Sequence, residues 1–248
     1  MKKTGKSAGI LIIGNEILSG KTVDTNSPYL CSELRNLGVD VKKISVIPDE
    51  LEVIAQEVSV FSRSYDLVFT SGGVGPTHDD VTIEGIAQGL GRRVRLHPEL
   101  EILVKNFYGA DMNPAKLKMA EVPEGAELLT GEGLVFPVIV VENIYIFPGI
   151  PEILRKKFEA IKGRFGDEPF FMKQIFVDRW EVDIAHCLNR LLEAFPHLLL
   201  GSYPELNNPA YKVKLTLESK NKDYLEEAFH QLVTLLPKDS IVRVEGRP

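Results

Sequence analysis

The residue pattern predicts an α/β fold: a mostly parallel sheet with helices on both faces, followed by a small C-terminal α+β domain. Three observations carry this. Short strand-like runs alternate with amphipathic helical stretches three times before residue 91. Residues 8–13 and 66–70 show no polar alternation, as expected of strands buried on both faces. After residue 171 the order changes to strand, helix, strand, strand, helix, strand, which suits a split α/β sandwich.

The first strand covers residues 8–13. Ser27-Pro28 then opens a helix, with Ser27 as N-cap, Pro28 in the first turn and Leu30, Leu34 and Leu37 on one face. Gly38 closes it, and Val39 to Ile47 forms the second strand. Asp49 and Glu52 have capping-box spacing, and Leu51, Ile54, Ala55, Val58 and Phe61 make the helical stripe that follows. Strand 66–70 comes next, then a glycine loop and a helix carrying Ile83, Ile86, Ala87 and Leu90. Beyond it, 98–108 and 114–120 read as helices, and 128–130, 135–141 and 143–147 as strands with a tight turn at Glu142-Asn143. A helix over 152–163 follows Pro148-Gly-Ile-Pro151.

Gly163 to Pro169 combines two glycines, a proline and charges, and divides the chain into domains 1–166 and 167–248. The small domain reads as strand 172–178, helix 181–194, strands 198–203 and 211–218, helix 222–236 and strand 240–244.

A composition of 44% hydrophobic and 26% charged residues leaves enough apolar surface for a sizeable core. The net charge of −6 argues against a nucleic-acid partner, because the phosphate backbone demands clustered positive charge. Cys31 and Cys187 form neither a zinc pattern nor a disulfide framework. No apolar run is long enough to span a bilayer, and the basic start from Met1 to Ser7 lacks the apolar core of a secretory signal. A cytoplasmic protein with no membrane partner is expected.

Candidate chemistry lies in the loops that follow strands. Ser71-Gly-Gly-Val-Gly-Pro-Thr-His-Asp-Asp80 joins a buried strand to a helix. Backbone N–H groups of Gly72, Gly73, Val74 and Gly75 could cradle phosphate oxygens, although no Walker lysine follows. Carboxylates beside a phosphate loop make sense when a divalent cation lies between them, so Asp79 and Asp80 are metal candidates. Glu16, after the first strand, should reach the same rim and is the third. Asp49 follows the second strand; its local pattern is that of an N-cap. Pro148 and Gly149 open a helix whose N–H groups could meet an anion, or form a rigid turn. Asn26 is a helix cap by pattern, and Asp24 belongs to a solvated acidic loop. His78 reads as an orienting neighbour, Lys21 as a surface lysine, His186-Cys187 as helix packing, Trp180 as core or interface, and Gly201 to Pro204 as a turn.

Taken in order, Gly14-x-Glu-Ile-Leu, Asp24-Thr-Asn26, Pro48-Asp49, Ser71 to Thr82 and Phe147 to Pro151 resemble the molybdopterin-binding domain family. Within it the chain is similar to the N-terminal region of eukaryotic FAD synthases and to the competence-damage-inducible protein A family of bacteria. The resemblance covers nearly the whole chain. It implies a three-layer α/β/α core and a dinucleotide pyrophosphatase. FAD would be cleaved to FMN and AMP with magnesium or cobalt and help from potassium; ADP-ribose is the substrate implied by the bacterial relatives. It further implies that Asp49 and Asp80 carry catalysis, and that Asn26, Gly72, Gly73, Val74, Gly75, Thr77, Pro148 and Gly149 bind substrate. Such folds self-associate, so a homo-oligomer, dimer or trimer, is expected. Val74 stands where the family's adenylyltransferases have threonine, which weighs against molybdopterin handling. The family's synthase domain is not among these 248 residues, so FAD synthesis is not expected of them. The rival functions are adenylyl transfer to molybdopterin and non-catalytic nucleotide binding that regulates a synthase.

Overall fold

The computed structural model describes residues 5–247, so the basic start at Met1 to Thr4 lies outside the described residues. The chain forms two compact units, Met1–Asp167 and Glu168–Pro248.

In the first unit a six-stranded sheet has the order β2-β1-β3-β8-β7-β6. The strands are β1 (Ser7–Ile13), β2 (Asp40–Ile47), β3 (Leu67–Ser71), β6 (Glu127–Leu129), β7 (Val138–Val141) and β8 (Ile144–Phe147). β2, β1, β3 and β8 are parallel; β7 pairs antiparallel with both β8 and β6. Strand alternation divides the core. Ala8, Ile10 and Ile12 pack on one face with helices α2 (Asn26–Asn36) and α7 (Pro151–Ile161), while Leu11 and Ile13 pack on the other with α3 (Leu51–Ser64) and α4 (Thr82–Gly89). This is the three-layer arrangement the family resemblance implies. Phe69 anchors the first face, ringed by Tyr145, Phe147, Phe158 and Phe165 at centroid distances of 5.1–6.3 Å.

Helices α5 (Pro98–Tyr108) and α6 (Pro114–Lys118) lie near a second sheet, formed by β4 (Val94–Leu96) and β5 (Glu121–Pro123). This ribbon was not expected, because each strand has only three residues and one ends in proline. A short helix α1 (Asn15–Leu18) follows β1. The strand expected over 135–141 begins only at Val138. Pro137 has no N–H for the ladder, and its carbonyl instead accepts from Lys157 Nζ at 2.6 Å.

The second unit orders its four strands β10-β11-β9-β12, all antiparallel. They are β9 (Phe171–Val177), β10 (Leu199–Pro204), β11 (Val213–Ser219) and β12 (Ile241–Arg247). Helices α8 (Glu181–Ala194) and α9 (Lys222–Leu235) bury Ile184, Leu191, Leu225 and Leu232 against Ile175, Val177, Leu215 and Leu217. Gly201 to Pro204 is strand rather than turn, and Trp180 is 42% exposed rather than core. Cys187 is packing, as its place on the apolar face of α8 suggested; its thiol donates to Leu235 O at 3.1 Å.

Candidate active site

Parallel strands end on one edge, so the segments after β1, β2, β3 and β8 share a rim, where open α/β sheets bind ligands. Hydrogen bonds join these segments directly. Gly14 N donates to Ile47 O at 3.1 Å and Gly72 N to Phe147 O at 3.2 Å. Asn26 Nδ2 donates to Ser71 Oγ at 3.0 Å and to Gly149 O at 2.8 Å.

Two of these residues have jobs the local pattern did not suggest. Asp49 does not cap α3: the cap position is Glu50, and no side chain bonds there. The Asp49 carboxylate instead accepts the backbone N–H of Asn15 at 2.8 Å, and its Oδ1 lies 3.4 Å from where a Cβ on Gly73 would stand. Asp49 therefore ties its own loop to the one after β1 and lies beside the glycine loop. Asn26 is the first residue of α2 rather than its cap, and is only 6% exposed. The capping is done by Asp24, whose Oδ1 accepts the N–H groups of Asn26 at 2.9 Å and Ser27 at 3.0 Å. Ser27 donates its own hydroxyl to Asp24, so its expected role as N-cap is reversed. The buried Asn26 Oδ1 has no partner among the described residues, a costly state for an acceptor unless a ligand or water supplies a donor.

The glycine loop turns where only glycine fits. Gly72 has φ +109° and Gly73 φ +63°, and a Cβ on Gly72 would collide with Ile13 O. Thr82 holds the returning chain, donating Oγ1 to Gly72 O at 2.9 Å and its N–H to Gly73 O at 3.0 Å. Asp79 and Asp80 converge on Thr77. Its hydroxyl lies 2.6 Å from Asp79 Oδ1 and also bonds Asp80 Oδ2, which accepts the Thr77 N–H at 2.8 Å. The Thr77 hydroxyl holds the Asp79 carboxyl below its ordinary range, with smaller help from His78 and Lys118. Asp79 remains 62% exposed and His78 almost wholly so.

Glu16 does not join this pair. It is exposed on α1 with its carboxylate folded back toward Gly14. Among the described residues no three His, Cys, Asp or Glu side chains gather into a set that could hold a metal ion, so Glu16, Asp79 and Asp80 do not form a ready-made cage.

A cavity of about 160 Å³ lies beside the loop. Of the residues singled out from sequence, Val74, Gly75, Asp80 and Pro148 line it. The rest of the wall had not been anticipated. It includes Met119, Phe136, Ile139 and Ile153, which are apolar, and the cations Lys118 and Lys157. Lys118 is already engaged: it pairs with Glu84 at 3.2 Å and donates to Asp80 O at 2.7 Å. Lys157 has no carboxylate partner among the described residues, and burial lowers its pKa from 10.5 to about 8. Its one sequence signal was position: a lysine beside Phe158 and one turn after Ile153, at the margin of an apolar stripe. Lys118 had no such signal.

Fold and rim together define a doubly wound α/β domain whose parallel strand ends carry a glycine loop, a carboxylate pair and a mostly apolar cavity. Residues 9–166 match the family described as "Probable molybdopterin binding domain", and 169–245 match the one described as "FAD synthase, middle domain". The chain therefore belongs to the molybdopterin-binding domain family. It is 35% identical to a "Probable FAD synthase" of Caenorhabditis briggsae and 34% to that of Caenorhabditis elegans, each over 93% of this chain and 50% of the relative. The chain thus spans about half the length of those relatives. A protein of Archaeoglobus fulgidus is 36% identical over 92% of this chain and 96% of its own length. Among solved structures, the protein CinA of Thermoplasma acidophilum, described as of unknown function, superposes with a TM-score of 0.61 at 33% identity. That match covers 66% of this chain and 99% of CinA.

Proposed function

We propose that the chain is a metal-dependent pyrophosphatase that hydrolyses FAD to FMN and AMP, with potassium as a further ion. One observation carries this reading: Val74 and Gly75 of the glycine loop, Asp80 and two lysines line one cavity at the rim of parallel strands. The middle-domain match and the relatives named as FAD synthases support a flavin nucleotide as the ligand. The apolar wall suits a flavin or adenine ring.

Asp79 and Asp80 offer hard oxygen ligands side by side, joined through Thr77. That suits magnesium or cobalt held jointly with substrate phosphates rather than in an all-protein cage. When bound, such an ion neutralises pyrophosphate charge and makes water more acidic. The chain's own contribution is positioning. The Gly72 N–H is held by Phe147 O, so the backbone N–H groups of residues 73–75 are the ones left to face the phosphate oxygens; Thr77 steadies both acids, and Asn26 with Pro148 and Gly149 borders the nucleotide. Asp49 and Asp80 orient the attacking water and accept its proton. The water oxygen bonds to one phosphorus as the bridging P–O bond breaks, giving FMN and AMP. Release of both products from FAD with added magnesium or cobalt is the test, read by chromatography. No release with either metal would overturn the proposal.

A further inference from the structure

We propose that Lys157 is the anion-binding residue of this cavity and that it takes the diphosphate of a nucleotide, while the apolar wall takes the ring. The inference rests on reading the cavity as the substrate site. Lys157 sits on α7 one turn after Ile153, and both line the cavity. Its Nζ donates to Pro137 O at 2.6 Å, which aims the ammonium and uses one of three donors.

The neighbouring charges single it out. Lys118 is balanced by Glu84 at 3.2 Å, and the cavity's other charged groups, Asp80 and Glu121, are acidic. Lys157 is the lining cation without an ionic partner among the described residues. A half-buried ammonium without a counter-charge destabilises a fold, since desolvation disfavours its charged form. A methionine there would fill similar volume without that penalty. A lysine therefore makes physical sense where a ligand brings the counter-charge. A phosphate supplies it, and a partly dehydrated site strengthens the attraction.

The test uses the full chain with EDTA present, so that no metal bridges protein and phosphate. Calorimetry compares ADP, AMP and adenosine on the parent, Lys157→Met and Lys157→Arg. The expected result is that the parent binds ADP more tightly than adenosine. Lys157→Met should weaken ADP at least tenfold, leave adenosine within about twofold and keep or raise the melting temperature; Lys157→Arg should recover part of the ADP affinity. Lys157→Met binding ADP like the parent, or a parent that does not prefer ADP to adenosine, overturns the proposal. Should the methionine variant fail to fold, amine labelling of the parent decides: ADP must shield Lys157 from acylation, and unchanged labelling overturns the idea. The two readings separate cleanly. A parent that releases no FMN from FAD, yet binds ADP through Lys157, removes the hydrolase and keeps the anion site. FMN release with an unchanged KM in Lys157→Met does the opposite.

Discussion

The two units have a similar density of strands among the described residues, eight in the first and four in the second, yet they treat their loops differently. In Met1–Asp167 four parallel strands end on one side, so the segments after β1, β2, β3 and β8 meet and cross-link. In Glu168–Pro248 every neighbouring pair is antiparallel, so successive strand ends alternate between the two edges and their loops are dispersed. The first unit keeps unusual features at its rim: positive-φ glycines, an unpartnered buried amide oxygen and an unpaired lysine. In the second, the one buried thiol has a partner and serves packing. Both units carry costly features, since Ser202 Oγ is buried without a partner among the described residues and Asp239 takes φ +66°, but strand direction decides where loops can bring such groups together.

Core truncations should break the comparison most severely. Phe69→Ala removes the centre of the aromatic cluster and should cost ~3–5 kcal/mol, with loss of FMN release. Leu215→Ala in the second unit should cost ~2–5 kcal/mol by urea unfolding. Below its melting range, Leu215→Ala should leave FMN release intact. Equal loss of activity in both variants would erase the functional distinction between the units.

The next effect is pH-dependent. Lys157 has a folded pKa near 8 against 10.5 unfolded. Below pH 8 both states are protonated, so its destabilisation is fully present. As pH rises from 8 to 10.5 the folded state releases the proton first, and stability recovers by up to roughly 3 kcal/mol. The stability advantage of Lys157→Met over the parent should therefore be largest near neutrality and shrink across that window. A constant gap in urea titrations would contradict this.

Asp80→Ala should lower kcat for FAD on the order of 100-fold, with little change in melting temperature, because the side chain bonds only within its exposed turn. Parental turnover would remove Asp80 from the mechanism. The smallest change is Gly73→Ala. The left-handed backbone at φ +63° costs a side chain roughly 1–2 kcal/mol, and Thr82 Oγ1 stands in its way. Circular dichroism melting checks the cost, and activity should fall with it.

Periodicity located most of the elements. Residues 51–61 and 181–194 carry apolar stripes strong enough to identify α3 and α8, and α8 falls on its expected span. Three-residue strands such as β4 and β5 are too short to show a period, and so were invisible. Capping was misread at Asp49 and Ser27, because an acid or hydroxyl before a helix has the same local pattern whether it bonds its own helix or another loop. The glycine loop and its acids were visible because their chemistry is contiguous. Lys118 and Lys157 were not, since a lysine's burial depends on what packs over it.

The order of strands and helices, the backbone freedom at Gly72 and Gly73, and the pairing of Asp79 with Asp80 were set by the sequence itself, because each depends on neighbours a few residues away. Tertiary structure decided the rest. It carried the Asp49 carboxylate across to Asn15, tied Asn26 to Ser71 and Gly149, and set Lys157 in the wall of the cavity that Asp80 also lines. These partners lie 34 to 123 residues apart where hydrogen bonds join them. Only a parallel sheet that brings strand ends to one edge makes them neighbours.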